Sequence, residues 1–181
     1  MSTPRPLLLL LGSGARIGTL TAQRFAQNGY NVAVVSRSGT DRRNENGFLS
    51  IKADLTDPKS IPRVFAAAKA EFGTGPSVVV YNVYSMAPLP EKDTLLSITV
   101  GSFVKDLNAN TVSAFAAASE AVRVWNKMPE STARKAFIFT GNIQNVRHVP
   151  GASLATIGAG KAATAYWIGS AAAAYSGKGY K

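Results

Sequence analysis

The chain has 181 residues, enough for one domain with a real core, and 46% hydrophobic against 17% charged residues exclude a disordered tail. No cysteine and a single histidine exclude a disulfide scaffold, a Cys-ligated zinc centre, a thiol nucleophile and a metal site built on histidines alone, and they suit a reducing compartment. The formal charge of +10 invites a nucleic-acid reading, but the basic residues are scattered and no stripe interleaved with aromatics appears, so a solvated basic surface without a nucleic-acid partner is the better expectation.

The start, MSTPRPLLLLLGSGA, has the Arg, apolar core and small residues of an export signal. Its core of five leucines is shorter than such a signal needs and serves better as a first strand, Leu7–Leu11. Gly12, Gly14 and Gly18 follow, and a helix is predicted over Thr19–Asn28, with Leu20, Phe25 and Ala26 inward and Gly29 as its stop. This strand–turn–helix unit is built for a pyrophosphate. The first glycine allows the tight turn, the second lets backbone approach the phosphates, and the last lets the helix pack close. The helix N-terminus adds unpaired N–H groups and a positive dipole.

Asn31–Ser36 is the second strand, and Arg37–Asn46 a polar loop. Phe48–Lys52 is the third strand, ending in Ala53-Asp54-Leu55. Asp57 is read as the N-cap and Pro58 as the first position of a helix running to about Phe72. Gly73–Pro76 breaks that helix before the fourth strand, Ser77–Tyr81, and Asn82. After a Ser85–Thr99 loop comes a long helix rich in small residues, from Gly101 to about Lys127. Ala136–Thr140 is the fifth strand, Gly141–Gly151 a loop holding His148 beside Pro150, and Ala152 to about Ser176 a second long Ala-rich helix. No stretch reaches the length of a membrane span, because the segment from Ala162 to Ala174 is broken by Thr164, Tyr166, Gly169 and Ser170. A soluble, cytoplasmic protein without a membrane partner is expected.

Strands alternate with helices throughout, and the strands are nearly unbroken apolar runs. That pattern implies an α/β fold: a doubly wound parallel sheet, Rossmann-like, forming a single domain over residues 1–181. A dinucleotide is the ligand such a sheet takes, and the charge at the end of the second strand selects which one. An acid there would hydrogen-bond a ribose hydroxyl, whereas Ser36-Arg37-Ser38 offers an Arg to a 2′-phosphate. Arg16 in the glycine loop could add a second charge, so NADP(H) is favoured over NAD(H).

By its order of motifs the chain resembles the short-chain dehydrogenase/reductase family over essentially its whole length. Gly12, Gly14 and Gly18 look like that family's glycine loop, with Arg16 and Ile17 lying between them. Asp54-Leu55 looks like its adenine-contacting acid, Asn82 like the Asn of its Asn-Ala-Gly motif, Asn110 like the Asn of its catalytic helix, and Lys161 like the Lys of its Tyr-x-x-x-Lys motif. The resemblance implies hydride transfer in which Tyr is the acid/base. Lys lowers the Tyr pKa and holds the nicotinamide ribose, a Ser or Thr binds the substrate oxygen, and the helix Asn sustains a water relay.

The pattern breaks where the proton should come from. Four residues before Lys161 stands Ile157, which cannot donate a proton, and no Tyr lies between Tyr84 and Tyr166. At the Ser position, counting from the fifth strand gives Asn142 and counting back from Ile157 gives Gln144; the strand count is preferred. An amide can hydrogen-bond a carbonyl but cannot relay a proton at neutral pH. Arg16 falls where the family often has its middle glycine, and Tyr84 replaces the Gly after Asn82, offering bulk, a stacking face or a displaced hydroxyl. The family fold continues past the second long helix with another strand, a substrate-covering segment and a final helix–strand pair. The chain is therefore expected to be a fragment or a shortened relative, with its sheet edge covered by a partner.

The favoured reading is a cofactor-binding member whose ordinary hydride transfer is impaired or lost, with Asn110, Asn142 and Lys161 left at the catalytic positions. The alternative is an active NADPH-dependent reductase of a small carbonyl substrate, with Lys161 or water supplying the proton and Tyr84 and Asn142 beside the substrate. The two Ala-rich helices, 101–127 and 152–176, are expected to pack in a homodimer or higher homo-oligomer.

Overall fold

The computed structural model describes residues 5–92, 94–130 and 134–181. Residues 1–4 of the export-like start, and Asp93 in the Ser85–Thr99 loop, lie outside the described residues. The sheet is organised on β1 (Leu7–Leu11), which pairs in parallel with β2 (Asn31–Ser36) on one side and with β5 (Val78–Tyr81) on the other. Beyond β2 lies β4 (Leu49–Lys52), and beyond β5 lies β6 (Ala136–Phe139), both parallel. With β3 (Arg42–Arg43) outside β4, the full order is β3-β4-β2-β1-β5-β6.

All five leucines of β1 are buried because both sheet faces are covered. Successive side chains alternate. Leu7, Leu9 and Leu11 pack on the face that carries α2 (Ser60–Phe72) and, after Asn110, α4 (Ser113–Trp125), among Ile61, Val64, Ala117 and Trp125. Leu8 and Leu10 pack on the other face with Ala22, Phe25 and Ala26 of α1 (Ile17–Gln27). An apolar run without polar alternation is what a strand sandwiched between helices requires.

Several predicted details are corrected. The sheet is not wholly parallel, because β3 (Arg42–Arg43), inside the predicted polar loop, pairs antiparallel with β4. Leu20 does not face inward: it is 67% exposed, since the buried stripe of α1 runs through Gly18 and Ala22, and Leu20 lies midway between them on the opposite side. Asp57 does not cap α2, which starts at Ser60. Its carboxylate instead accepts the Lys59 N–H at 3.0 Å and closes a turn that carries Pro58 ahead of the helix.

The helix predicted as continuous over 101–127 is two helices joined by one π turn. α3 (Val100–Leu107) gives way to a π turn over Asn108–Val112, with the Ser113 N–H bonded to the Asn108 carbonyl, and α4 follows. The wider turn takes carbonyls off the helical ladder, and side chains collect them. The buried Tyr81 hydroxyl donates to the Ala109 carbonyl at 2.6 Å, and Thr164 donates to the Asn110 carbonyl at 2.7 Å. Thr164 belongs to α5 (Ala155–Ala174), which crosses the π turn at Gly160, where a Cβ would collide with the Asn110 side chain.

Candidate functional site

The carboxyl ends of the parallel strands lie level, with Leu11 beside Val35 and Tyr81, and Tyr81 beside Phe139. Gly12, Arg37, Asn82 and Thr140 therefore sit along one edge, with the point where the strand order reverses, between β1 and β5, at its centre. In an open α/β sheet that reversal is where a ligand crevice opens.

Gly12 turns the chain at φ +92°, and a Cβ there would lie 2.5 Å from the Asn82 carbonyl oxygen. The turn is held on both flanks. The Gly12 and Ser13 N–H groups both donate to the Val35 carbonyl, and the Asn82 side chain donates to the Gly12 carbonyl at 3.0 Å. Gly18 packs the first turn of α1 against Ser13, where a Cβ would come within 2.8 Å of Ser13 Cα, while the space above Gly14 is open. α1 begins without a side-chain cap and without an acid in its first turn. The Thr19 N–H turns back to the Gly14 carbonyl at 3.0 Å, which among the described residues leaves the Ile17 and Gly18 N–H groups for an anion, with the exposed Arg16 and Ile17 side chains beside them. These residues fit a pyrophosphate, and a Cβ at Gly12 would fill the turn.

On the β2 side, the Gly39 N–H donates to the Ser36 carbonyl and closes a tight turn that presents Arg37 to solvent, with the Ser36 and Ser38 hydroxyls 3.4 Å apart beneath it. Asp54 is exposed after β4 and Leu55 is buried under it. The Asp54 carboxylate accepts the Thr56 N–H and hydroxyl at 3.0 and 2.9 Å. Those bonds, chiefly the backbone one, together with the charges of Lys105 and Arg37, outweigh its slight burial and hold it below the ordinary carboxylate range.

On the β5–β6 side stands Lys161, 4% exposed. Its Nζ donates to the Val83 carbonyl at 3.0 Å and the Thr140 carbonyl at 2.9 Å, tying together the ends of β5 and β6, and lies 4.3 Å above the Phe139 ring. Burial without an acid to offset it pulls the amine down to about 8. Ile157 precedes it by one helical turn, also buried.

Asn110 is fully buried in the π turn, and its side chain is spent on one residue. Oδ1 accepts the Ser85 N–H at 3.2 Å and Nδ2 donates to the Ser85 carbonyl at 2.6 Å. At the position expected for a hydroxyl, Asn142 and Gln144 form an amide clasp. Asn142 Nδ2 donates to Gln144 Oε1 at 2.8 Å, and Asn142 Oδ1 accepts the Gln144 N–H. The two competing counts thus meet in one structure. Asn142 is exposed and caps a short turn, while Gln144 lies against α5, with Nε2 donating to the Leu154 carbonyl and resting over Gly158.

The structure thus brings Gly12, Asn82 and Lys161 onto one edge, with Asn110 behind it and Arg37 and Asp54 toward the far end. Sequence reasoning missed Asp106, a buried acid whose oxygens accept the Ser85 hydroxyl at 2.6 Å and the Ala87 N–H at 2.5 Å. Its signal was available: Asp106 precedes Asn110 by four residues, so both face the same side of the helix. Thr164 was missed too, because only the π turn gives its hydroxyl a partner.

Known proteins bear out the architecture. A family profile described as enoyl-(acyl carrier protein) reductase matches residues 13–181. The short chain dehydrogenase/reductase dmxR12 of Cryptosporiopsis sp. (strain 8999) is 39% identical over 97% of this chain and 74% of its own length. The 3-oxoacyl-[acyl-carrier-protein] reductase MabA of Mycobacterium tuberculosis (strain ATCC 25618 / H37Rv) is 34% identical over 64% of this chain, a match that spans 44% of MabA. Among solved structures, the 3-ketoacyl-(acyl-carrier-protein) reductase of Brucella melitensis, complexed with NADH, superposes with a TM-score of 0.82 at 17% identity, over 97% of this chain and 72% of that one. A short-chain dehydrogenase/reductase from Serratia marcescens BCRC 10948 gives a TM-score of 0.67 at 24% identity, over 87% of this chain and 66% of that one.

Proposed function

The chain belongs to the short-chain dehydrogenase/reductase family, and from that premise we propose that it binds NADP(H) and has lost the family's ordinary tyrosine-dependent hydride transfer. One observation carries the reading. The phosphate cradle is built and closed by Asn82, while the turn of α5 ahead of Lys161 presents buried Ile157 instead of a proton donor.

Gly12, Gly14, Arg16, Ile17 and Gly18 would hold the pyrophosphate, Asp54 and Leu55 the adenine, and Lys161 the nicotinamide ribose. Arg37, flanked by two hydroxyls on its tight turn, would hold the 2′-phosphate, which a bidentate guanidinium suits. A bound dinucleotide would carry a transferable hydride, and the residues of this chain would fix where it lies. The Asn142–Gln144 clasp leaves no hydroxyl at the substrate-oxygen position, and Asn110 positions Ser85 rather than relaying water. We place the protein in the cytoplasm, which its cysteine-free sequence suits, and note that among the described residues no helix is long and apolar enough to cross a membrane.

Calorimetric titration with NADPH and with NADH tests this reading. NADPH should bind at least about tenfold tighter, the scale of one charge-assisted pair. Arg37→Ala should erase the difference. Equal affinities would overturn the NADP(H) assignment, and binding of neither would overturn the cofactor assignment altogether.

A second reading is favoured by the Lys161 amine, whose pKa of about 8 suits proton donation near neutral pH. In it, the chain reduces a small carbonyl compound: hydride reaches the carbonyl carbon and the oxygen takes its proton from Lys161 or water. NADPH oxidation by the native chain with a small aldehyde would support it. Turnover that appears only in Ile157→Tyr supports the first reading.

A further inference from the structure

The segment after β5 is a rail pinned at nearly every second residue. The Asn82 N–H donates to the Leu11 carbonyl at 2.7 Å and its side chain to the Gly12 carbonyl. Lys161 holds the Val83 carbonyl, Asn110 holds both backbone groups of Ser85, and Asp106 holds the Ser85 hydroxyl and the Ala87 N–H. Asp106 and Asn110 are buried, and among the described residues no cation pairs with Asp106. With 82, 83, 85 and 87 fixed, the two residues between anchors turn outward. Tyr84 is 70% exposed and Met86 is 43% exposed.

A large aromatic ring held out in water by so many buried hydrogen bonds is a presented group. Its place follows from the strand order. Arg37 and Asp54 lie on the β2–β4 side of the Gly12 turn, so a dinucleotide with its phosphates at Gly12 and its adenosine on that side must lay its other half across β5 and β6. Tyr84 directly follows Val83, whose side chain lies against the Gly12 turn and whose carbonyl Lys161 holds, so it leaves the sheet on that side.

We propose that Tyr84 is a ligand-reading residue: its ring is a stacking face for the nicotinamide half of the dinucleotide, and Asp106 is the positioning residue that holds the rail presenting it. This rests on the cofactor reading above. An offset ring–ring contact of this kind adds affinity without needing the hydroxyl.

The test compares two probes, NADPH and adenosine 2′,5′-bisphosphate, which carries the adenosine end and no nicotinamide. Tyr84→Ala should weaken NADPH by about five- to tenfold and leave the bisphosphate within about twofold. Tyr84→Phe should match the native chain on both. Asp106→Ala should reproduce the split, a result that a merely loosened scaffold would not give, since it would weaken both probes alike. Unchanged or tighter NADPH binding in Tyr84→Ala would overturn the proposal, as would parallel losses on the two probes. Bisphosphate binding without any NADPH preference for the ring defeats the stacking face alone; failure of the native chain to bind either probe defeats the cofactor reading and the stacking face with it.

Discussion

Gly12 carries two independent demands, a left-handed φ of +92° and a Cβ-free approach to the Asn82 carbonyl. Either would penalise a side chain, and together they make Gly12→Ala cost about 1–3 kcal/mol as the turn shifts off β5. The expected outcome is loss of saturable NADPH binding with a chain that still folds, read by calorimetry beside circular dichroism. Gly14→Ala, with open space above it, should keep its fold stability unchanged. Lys161 makes a prediction of a different kind. Its folded pKa of about 8 lies below the ordinary 10.5 because burial disfavours the charge. Between those values the unfolded chain keeps a proton that the folded chain has released, so this group's contribution to unfolding free energy rises with pH across that window. Below about 8 the folded state carries the whole cost. In Lys161→Met the rise should vanish. The offset between the two proteins at neutral pH mixes that cost with two carbonyls left without a donor, but the slope from pH 8 to 10 does not, and parallel pH profiles would refute the assignment.

At the scale of elements, the strands were legible because each is an apolar run between breakers: Leu7–Leu11, Asn31–Ser36 and Ala136–Phe139 match the sequence reading to within a residue. The doubly wound arrangement of the parallel strands was legible as well, since right-handed crossovers leave few alternatives, but the antiparallel edge strand β3 was not. The π turn was not. Asn108–Val112 carries no Gly or Pro and no break in composition, and its cause is tertiary: Tyr81 and Thr164 supply hydroxyls to carbonyls that a regular helix would have used itself. The same blindness hid the role of Asn110. Its identity was readable, but its commitment to Ser85 depends on the turn that aims it. Thr164→Val tests this account. The substitution keeps the shape and leaves the Asn110 carbonyl buried without its donor, at about 1–3 kcal/mol. Urea unfolding should show a lowered midpoint with an unchanged slope, and thermal unfolding a fall of several degrees. An unaffected midpoint would mean that the π turn persists without its side-chain partner.

Among the described residues a large apolar surface lies uncovered on the helices the sequence marked for self-association. Phe115 of α4 is 56% exposed and Tyr166 of α5 is 82% exposed, and Val104 on α3 is half-exposed. Between α4 and α5 runs a groove of about 150 Å³ lined by Phe115, Val122, Trp167, Ile168, Ala171 and Tyr175. Phe115 and Trp167 meet edge to face across its floor at 5.3 Å, so the groove is a formed surface of two packed helices. The small residues of α5 keep its outer side low, which lets a second helix pair come close without displacing large side chains. An isologous dimer is the simplest closed arrangement that would cover such a face, because the same patch meets itself. Burying it would also explain why α5, rich in Ala and nearly uniform in hydropathy around its circumference, needs no polar outer side. Light scattering on the native chain should then give twice the chain mass, independent of NADPH. Tyr166→Asp, which places an unpaired charge on the exposed side of α5, should give a monomer that still binds NADPH, because the cofactor edge lies at the carboxyl ends of the strands and draws only Lys161 from α5. A native chain that is already monomeric at high concentration would refute the dimer, and a Tyr166→Asp dimer would move the interface to another face.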